Sequence, residues 1–433
     1  MLISGAWFFG GNSSGARLLM SAWGSLGLVI TIAALRPGVS SFTPRQTFTW
    51  LWPLAAFNGL VLLSAVNPSF REVVDGTQRF YLADSAKLPL PSSARPDLSW
   101  RSLWFFDAIY LSCFNLLLVV RERRALRLLL LVLLGNAVLL AVFGTVQKLV
   151  GAEGLYFGLV PSPQPFFFAS FVYHNHWGAF ALLMGAMGCG LLFHFARRGE
   201  ARDFWHSPAF VAAVGIGLLA ATIPLSGSRS CTILITLLIG GALVHGLRRL
   251  RRSRKGRGGT GVWPVAATLL AAIAMGAFGY HLARPTIHLR IANTRGQLAE
   301  MQARGDFGSR QTLYRDTWNL AREKRWFGWG MGAFPTAFFH RNTQRHESID
   351  GLPRHFHDAH SDWLQSAAEV GIVGTVLLGL CGIVPLYQSR RALTPSPLAI
   401  YLGLGCAVVL LYAWLEFPFG NRAVVAAWWL CFF

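Results

Sequence analysis

Apolar residues recur along this chain in long runs separated by short, arginine-bearing polar segments. A bilayer core of roughly 30 Å takes about 20 apolar residues per helix. Runs at 18–35, 48–66, 103–120, 128–150, 177–195, 208–225, 230–247, 262–283, 363–388 and 398–416 meet that length and predict ten full spans. A further apolar run starts at Val424 and stops at Phe433, while residues 2–10 are too short to cross, so both ends read as clipped. The expected fold is an all-α polytopic transmembrane bundle of about 10–12 spans. It divides into an N-terminal bundle over 1–283, a large loop over 284–362 and C-terminal helices over 363–433 that read as truncated. Within the loop, segment 310–325 puts Leu313, Thr317, Leu320 and Ala321 on one face, as a helix lying on the membrane surface would.

Composition agrees. Hydrophobic residues make up 53% of the 433, charged residues only 13%, and 45 more are glycine. Charge at about half the soluble norm leaves too little polar surface to cover a water-soluble globule. Aromatic residues at 13% exclude a disordered or collagen-like chain. All six cysteines fall inside apolar stretches, so neither disulfides nor cysteine metal sites are expected, and there is no cleavable secretory signal.

The net charge of +20 is carried by 35 Arg and four Lys. Arginine grips phosphate through a planar fork, which suits a phosphate-bearing substrate; a genome rich in G and C would give the same bias. The loops 36–47, 121–127, 196–207, 248–261 and 389–397 hold 18 of the basic residues, including the run RRLRRSRKGR, and should face the cytoplasm. Segments 67–102, 151–176, the SGSRS turn and 284–362 then face outward. Basic residues scattered over short loops argue against nucleic acid as a partner.

Candidate chemistry gathers in the outward segments. His355, His357 and His360, with Asp358 and Asp362, precede a helix. They could ligate a metal, solvate a loop, or supply a general base; an imidazole at a helix N-terminus is favoured in its neutral, proton-accepting form. No metal or other cofactor is expected. Arg229 in LSGSRSCTI lies at the outer membrane surface, where it either snorkels or holds an anionic headgroup or diphosphate. Arg310 opens the amphipathic helix and Arg315 follows one turn later; both could reach the same anion, or Arg315 could sit on a solvated face. Asn175 and His176 in FVYHNHWGAF enter a span and are read either as interfacial anchors or as site residues. Glu369, and Glu416 before Pro418, should each pair with an arginine or a backbone donor. The GWGMG run lacks the strand and the Gly-Lys-Ser/Thr ending of a nucleotide loop.

In order, NP at 67–68, LPLPSSARPDLSW, FVYHNHWGAFALL, LSGSRS, GSRQTLYRDTWNLAREKRWFGWGMGAF and HSDWLQSAAEVGIVG resemble the blocks of the O-antigen ligase and O-antigen polymerase family of bacterial envelope enzymes. Trp326 stands where that family usually has proline. The resemblance implies a helical bundle of the glycosyltransferase C kind with one large periplasmic loop. It also implies metal-independent, inverting transfer from an undecaprenyl-diphosphate-linked glycan on the periplasmic face of the inner membrane. The acceptor could be lipid A-core, a growing polysaccharide or a protein, and membrane lipids surround the site. By that likeness His360 is the general base, Arg229 with Arg310 binds the diphosphate, and Glu369 supports the site; read from the residues themselves, Arg315, His357, Asn175 and His176 are further substrate-binding candidates. The alternative is a transporter or flippase of a lipid-linked saccharide, although the sequence shows no inverted repeat.

Overall fold

The computed structural model describes residues 1–36, 42–76, 78–84, 90–120, 122–196, 206–254, 262–304, 309–346, 348–349, 352–353, 355–390 and 396–433. Much of the loops read as cytoplasmic (37–41, 197–205, 255–261 and 391–395) lies outside the described residues.

The helices are α1 (Leu2–Trp7), α2 (Ser14–Ala34), α3 (Pro44–Ala65), α4 (Pro96–Val119), α5 (Arg123–Leu149), α6 (His174–Phe195) and α7 (Pro208–Ser226), followed by α8 (Arg229–Arg254), α9 (Val262–Arg304), α10 (Ser309–Glu323), α11 (Phe334–Phe339), α12 (Asp362–Ser389), α13 (Pro397–Tyr412) and α14 (Arg422–Phe432). Among the described residues three antiparallel hairpins with strands of two or six residues lie between them, the longest pairing β1 (Phe70–Asp75) with β2 (Gln78–Ala83). Among the described residues eight helices, α2 to α8 and α12, are long and apolar enough to cross a membrane. Leu18, Leu128, Leu139, Ile233, Leu237 and Ile383, each more than 60% exposed, would be unfavourable in water and are at home against lipid.

α6 is the inner helix, buried on nearly every side from Asn175 to Leu191. Its small residues permit close packing: a Cβ at Gly178 would stand 2.8 Å from Cys231 Sγ and 2.9 Å from Ser228 Oγ, at the start of α8. That contact fixes the turn carrying Arg229 against the mouth of α6.

Three elements differ from the sequence expectation. α9 does not stop at 283 but continues to Arg304, through Pro285, so the segment read as loop from 284 opens as helix. α13 ends at Tyr412 rather than 416, because a turn intervenes before the short helical segment that Pro418 begins, and Glu416 therefore sits at a corner. The face of α10 bearing Leu313, Thr317, Leu320 and Ala321 is buried as predicted, but in protein: it packs with Phe334, Phe338 and Ala368 rather than lying on lipid.

The GWGMG run is a docking loop. Gly328 (φ 69°) and Gly371 (φ 65°, inside α12) bring two backbones into contact, with Ile372 N–H donating to Arg325 at 2.8 Å and Gly330 N–H donating to Glu369 C=O at 2.8 Å. A Cβ at Gly371 would overlap the backbone of Trp326, and positive φ adds strain. Gly371→Ala is expected to destabilise the protein by about 2–4 kcal/mol, read as a lowered thermal unfolding midpoint; an unchanged midpoint would show that the loop does not need this approach. On its far side the loop takes up the segment between α3 and α4, where Ala94 N–H donates to Trp329 C=O at 2.7 Å, and the start of α4, where Ser99 Oγ donates to Met331 C=O at 3.0 Å. The segments read as outward thus pack on one another.

Candidate functional site

Glu416 is the hub. It is 4% exposed, and the turn after α13 points its carboxylate at three elements. Arg310 Nη2, from the first turn of α10, lies 2.6 Å from Oε1. Tyr173 Oη, just before α6, donates to Oε2 at 3.3 Å. His360 Nδ1, just before α12, is 3.7 Å from the same oxygen. Burial pushes the Glu416 carboxyl up, but His360 and Arg310 outweigh it and hold the group below its ordinary 4.5. A carboxylate depressed in the fold adds stability at pH values above its unfolded pKa and loses it as pH falls through the folded value. The stability of Glu416→Gln should therefore depend less on pH below about 4.5 than that of the unaltered protein; parallel acid unfolding curves would contradict this.

His360 is held in an unusual backbone state, φ 52°, which histidine adopts only when its surroundings enforce it. Tyr314 Oη donates to its carbonyl at 2.9 Å, and the next residues are tied down: Ser361 caps α12, Gln365 accepts from Ala359 N–H at 3.0 Å, and Asp362 accepts from Phe419 N–H at 2.9 Å. The ring stands edge-on to Phe417 at 4.8 Å. Its Nδ1 is buried facing Glu416 with no hydrogen-bond partner among the described residues, while the side chain as a whole is 29% exposed. Burial raises the neighbouring Asp358 carboxyl, with His360 and His357 opposing.

Phe417 is clasped from three sides: Tyr173 stacks on it at 5.2 Å, and His176 meets it edge-on at 5.1 Å while approaching its carbonyl through Nε2 at 3.2 Å. A carbonyl only accepts, so His176 carries its proton on Nε2. Asn175 bridges the hub to the SGSRS turn, donating to Tyr173 Oη at 2.9 Å and accepting from Ser228 Oγ at 2.7 Å. Arg229 follows Ser228, is exposed, and donates to Thr294 Oγ1 of α9.

The structure thus gathers His360, Arg310, Asn175 and His176 around Glu416 and links Arg229 to them through Ser228. Three predicted residues stand elsewhere. Glu369 accepts from Gly332 N–H at 2.8 Å, Phe334 N–H at 3.3 Å and Gln365 Nε2 at 3.1 Å, so its carboxylate organises the docking loop instead of facing His360 or Arg229. The Arg315 side chain is 65% exposed beside Asp316. His357 is exposed and rests against His355, rings 4.7 Å apart. Tyr173, Tyr314, Phe417 and Arg290 went unread as site residues. Glu416 was singled out as a carboxylate at the end of an apolar run, and that position was its signal; the others carry none in sequence.

Residues 214–379 match the family model described as O-antigen ligase. No curated protein and no solved structure matches the chain. The matched segment runs from α7 into α12 and contains Arg229, Arg310, Arg315, His357, His360 and Glu369. Set in a bundle of membrane-length helices, it supports glycosyl transfer of the O-antigen ligase kind by a multi-pass membrane protein. Over residues 214–379 this chain is thus similar to the O-antigen ligase family.

Proposed function

We propose that the protein transfers a glycan from undecaprenyl diphosphate to an acceptor hydroxyl at the periplasmic face of the bacterial inner membrane, with inversion at the anomeric carbon. The observation that carries this reading is His360 poised between Glu416 and open space, with Arg229 at the turn joined to the same hub. Glu416 faces Nδ1 and favours the tautomer protonated there, which leaves Nε2 to accept the hydroxyl proton as the new glycosidic bond forms. The imidazolium so formed is stabilised by the carboxylate. On the far side of the sugar the bond to the diphosphate breaks, and the negative charge that develops is met by Arg229; fixed guanidinium groups provide this without a metal. Arg310, already bound to Glu416, sets the carboxylate's position.

Lipid A-core, polysaccharide and protein hydroxyls all present the acceptor chemistry this site would use. Incubating the purified chain with an undecaprenyl-diphosphate glycan and each acceptor in turn tests the reading. Product with one acceptor, accompanied by release of undecaprenyl diphosphate, supports it. Movement of the donor across a liposome bilayer with no product in any arm would favour the transporter alternative and overturn it.

A further inference from the structure

Arg290, on the part of α9 that continues past the expected span, has no role in the mechanism above and, among the described residues, no ionic partner. Its guanidinium lies 3.6 Å over the ring of Phe166, and Nη2 donates to His174 Nε2 at 2.8 Å. A guanidinium has only donors, so His174 accepts through Nε2 and is neutral. Arg290 Nε is buried with no hydrogen-bond partner among the described residues, and it presses on the α7–α8 turn: a Cβ at Gly227 would stand 2.9 Å from it. One turn further along α9, Thr294 accepts from Arg229 and donates to the Arg290 carbonyl at 2.6 Å. The two arginines therefore meet at the Gly227-Ser228-Arg229 turn, near enough for one charge to act on the other. Among the described residues no carboxylate lies within ion-pair distance of either, whereas Arg310 is neutralised by Glu416.

Two converging cations beside a neutral imidazole repel each other, and an anion between them removes that repulsion. We infer that Arg290 and Arg229 form a two-armed site for the headgroup of a lipid diphosphate, with Arg290 aimed by Phe166 and His174, while Arg310 serves Glu416. Two planar forks of donors match two linked phosphates better than one. This assignment rests on the donor reading proposed above and adds a residue to it.

The test uses the full chain in detergent and undecaprenyl diphosphate without glycan as the probe, with thermal unfolding recorded for each variant. Wild type is expected to bind. R290Q should bind at least about tenfold more weakly, the loss of a charge-assisted hydrogen-bonding pair. R290K keeps the charge but not the fork and should fall between the two. R295Q removes the same charge from an exposed position on the same helix and should stay within about twofold of wild type. If R290Q fails to fold, R290K carries the test, and wild-type affinity in R290K overturns the assignment. Affinity of R290Q within twofold of wild type, or equal weakening by R295Q, overturns it while the donor reading stands. A wild type that does not bind the probe overturns the donor reading and this assignment with it.

Discussion

Replacing His360 with alanine is expected to lower glycan transfer by about 10²- to 10⁴-fold, the usual contribution of a positioned general base. The protein should still fold. The ring is partly exposed, its Nδ1 has no hydrogen-bond partner among the described residues, and the contacts that fix this corner use its backbone carbonyl, which accepts from Tyr314, and its neighbours Ser361 and Asp362. Alanine also tolerates the left-handed backbone less well than histidine, so a stability loss of about 1 kcal/mol is expected. Thermal unfolding beside the transfer assay separates the two effects: a large loss of rate with a midpoint lowered by only a few degrees is the expected pair. Loss of rate in step with loss of folded protein would assign His360 to structure.

Glu416→Gln is the second variant with a large expected effect. Glutamine keeps the size and can accept from Arg310 and Tyr173, but it has no charge to stabilise an imidazolium at His360. Transfer should fall by about 10- to 100-fold, as when the group that orients a functional histidine is lost. Because Glu416 acts through His360, kcat should fall while KM for the donor stays near its wild-type value, and Glu416→Asp should recover part of the rate. A purely structural role would move stability and both kinetic constants together. Arg310 is half-exposed and can turn to water, so the stability cost at neutral pH should remain near 1 kcal/mol.

Much of this was legible in the sequence, and for physical reasons. Runs of about 20 apolar residues have few alternatives to spanning a membrane, and α12 falls over Asp362–Ser389 where 363–388 was expected. The buried face of α10 followed from its period of 3.6, but periodicity gives a face and not its partner, so protein and lipid looked alike. The end of α9 was misplaced because apolarity ceases at 283 while helix geometry does not. That single error hid Arg290, which stands about two turns beyond the predicted end. Arg229 was readable as an ionisable residue where one is costly, and His360 as an imidazole at the start of a helix. Glu369 was equally visible, yet a carboxylate in an apolar helix announces only that it has partners; here they are the backbone amides of Gly332 and Phe334. The centrality of Glu416 depends on the corner after α13, a three-dimensional fact that no local pattern encodes.

The most direct test of the mechanism follows two products at once. Proteoliposomes carrying the full chain receive an undecaprenyl-diphosphate glycan and an acceptor hydroxyl, and both the glycosylated acceptor and free undecaprenyl diphosphate are measured over time. The account predicts equimolar appearance of the two with wild type and neither with His360→Ala at equal folded protein. Transfer by His360→Ala at the wild-type rate would contradict it.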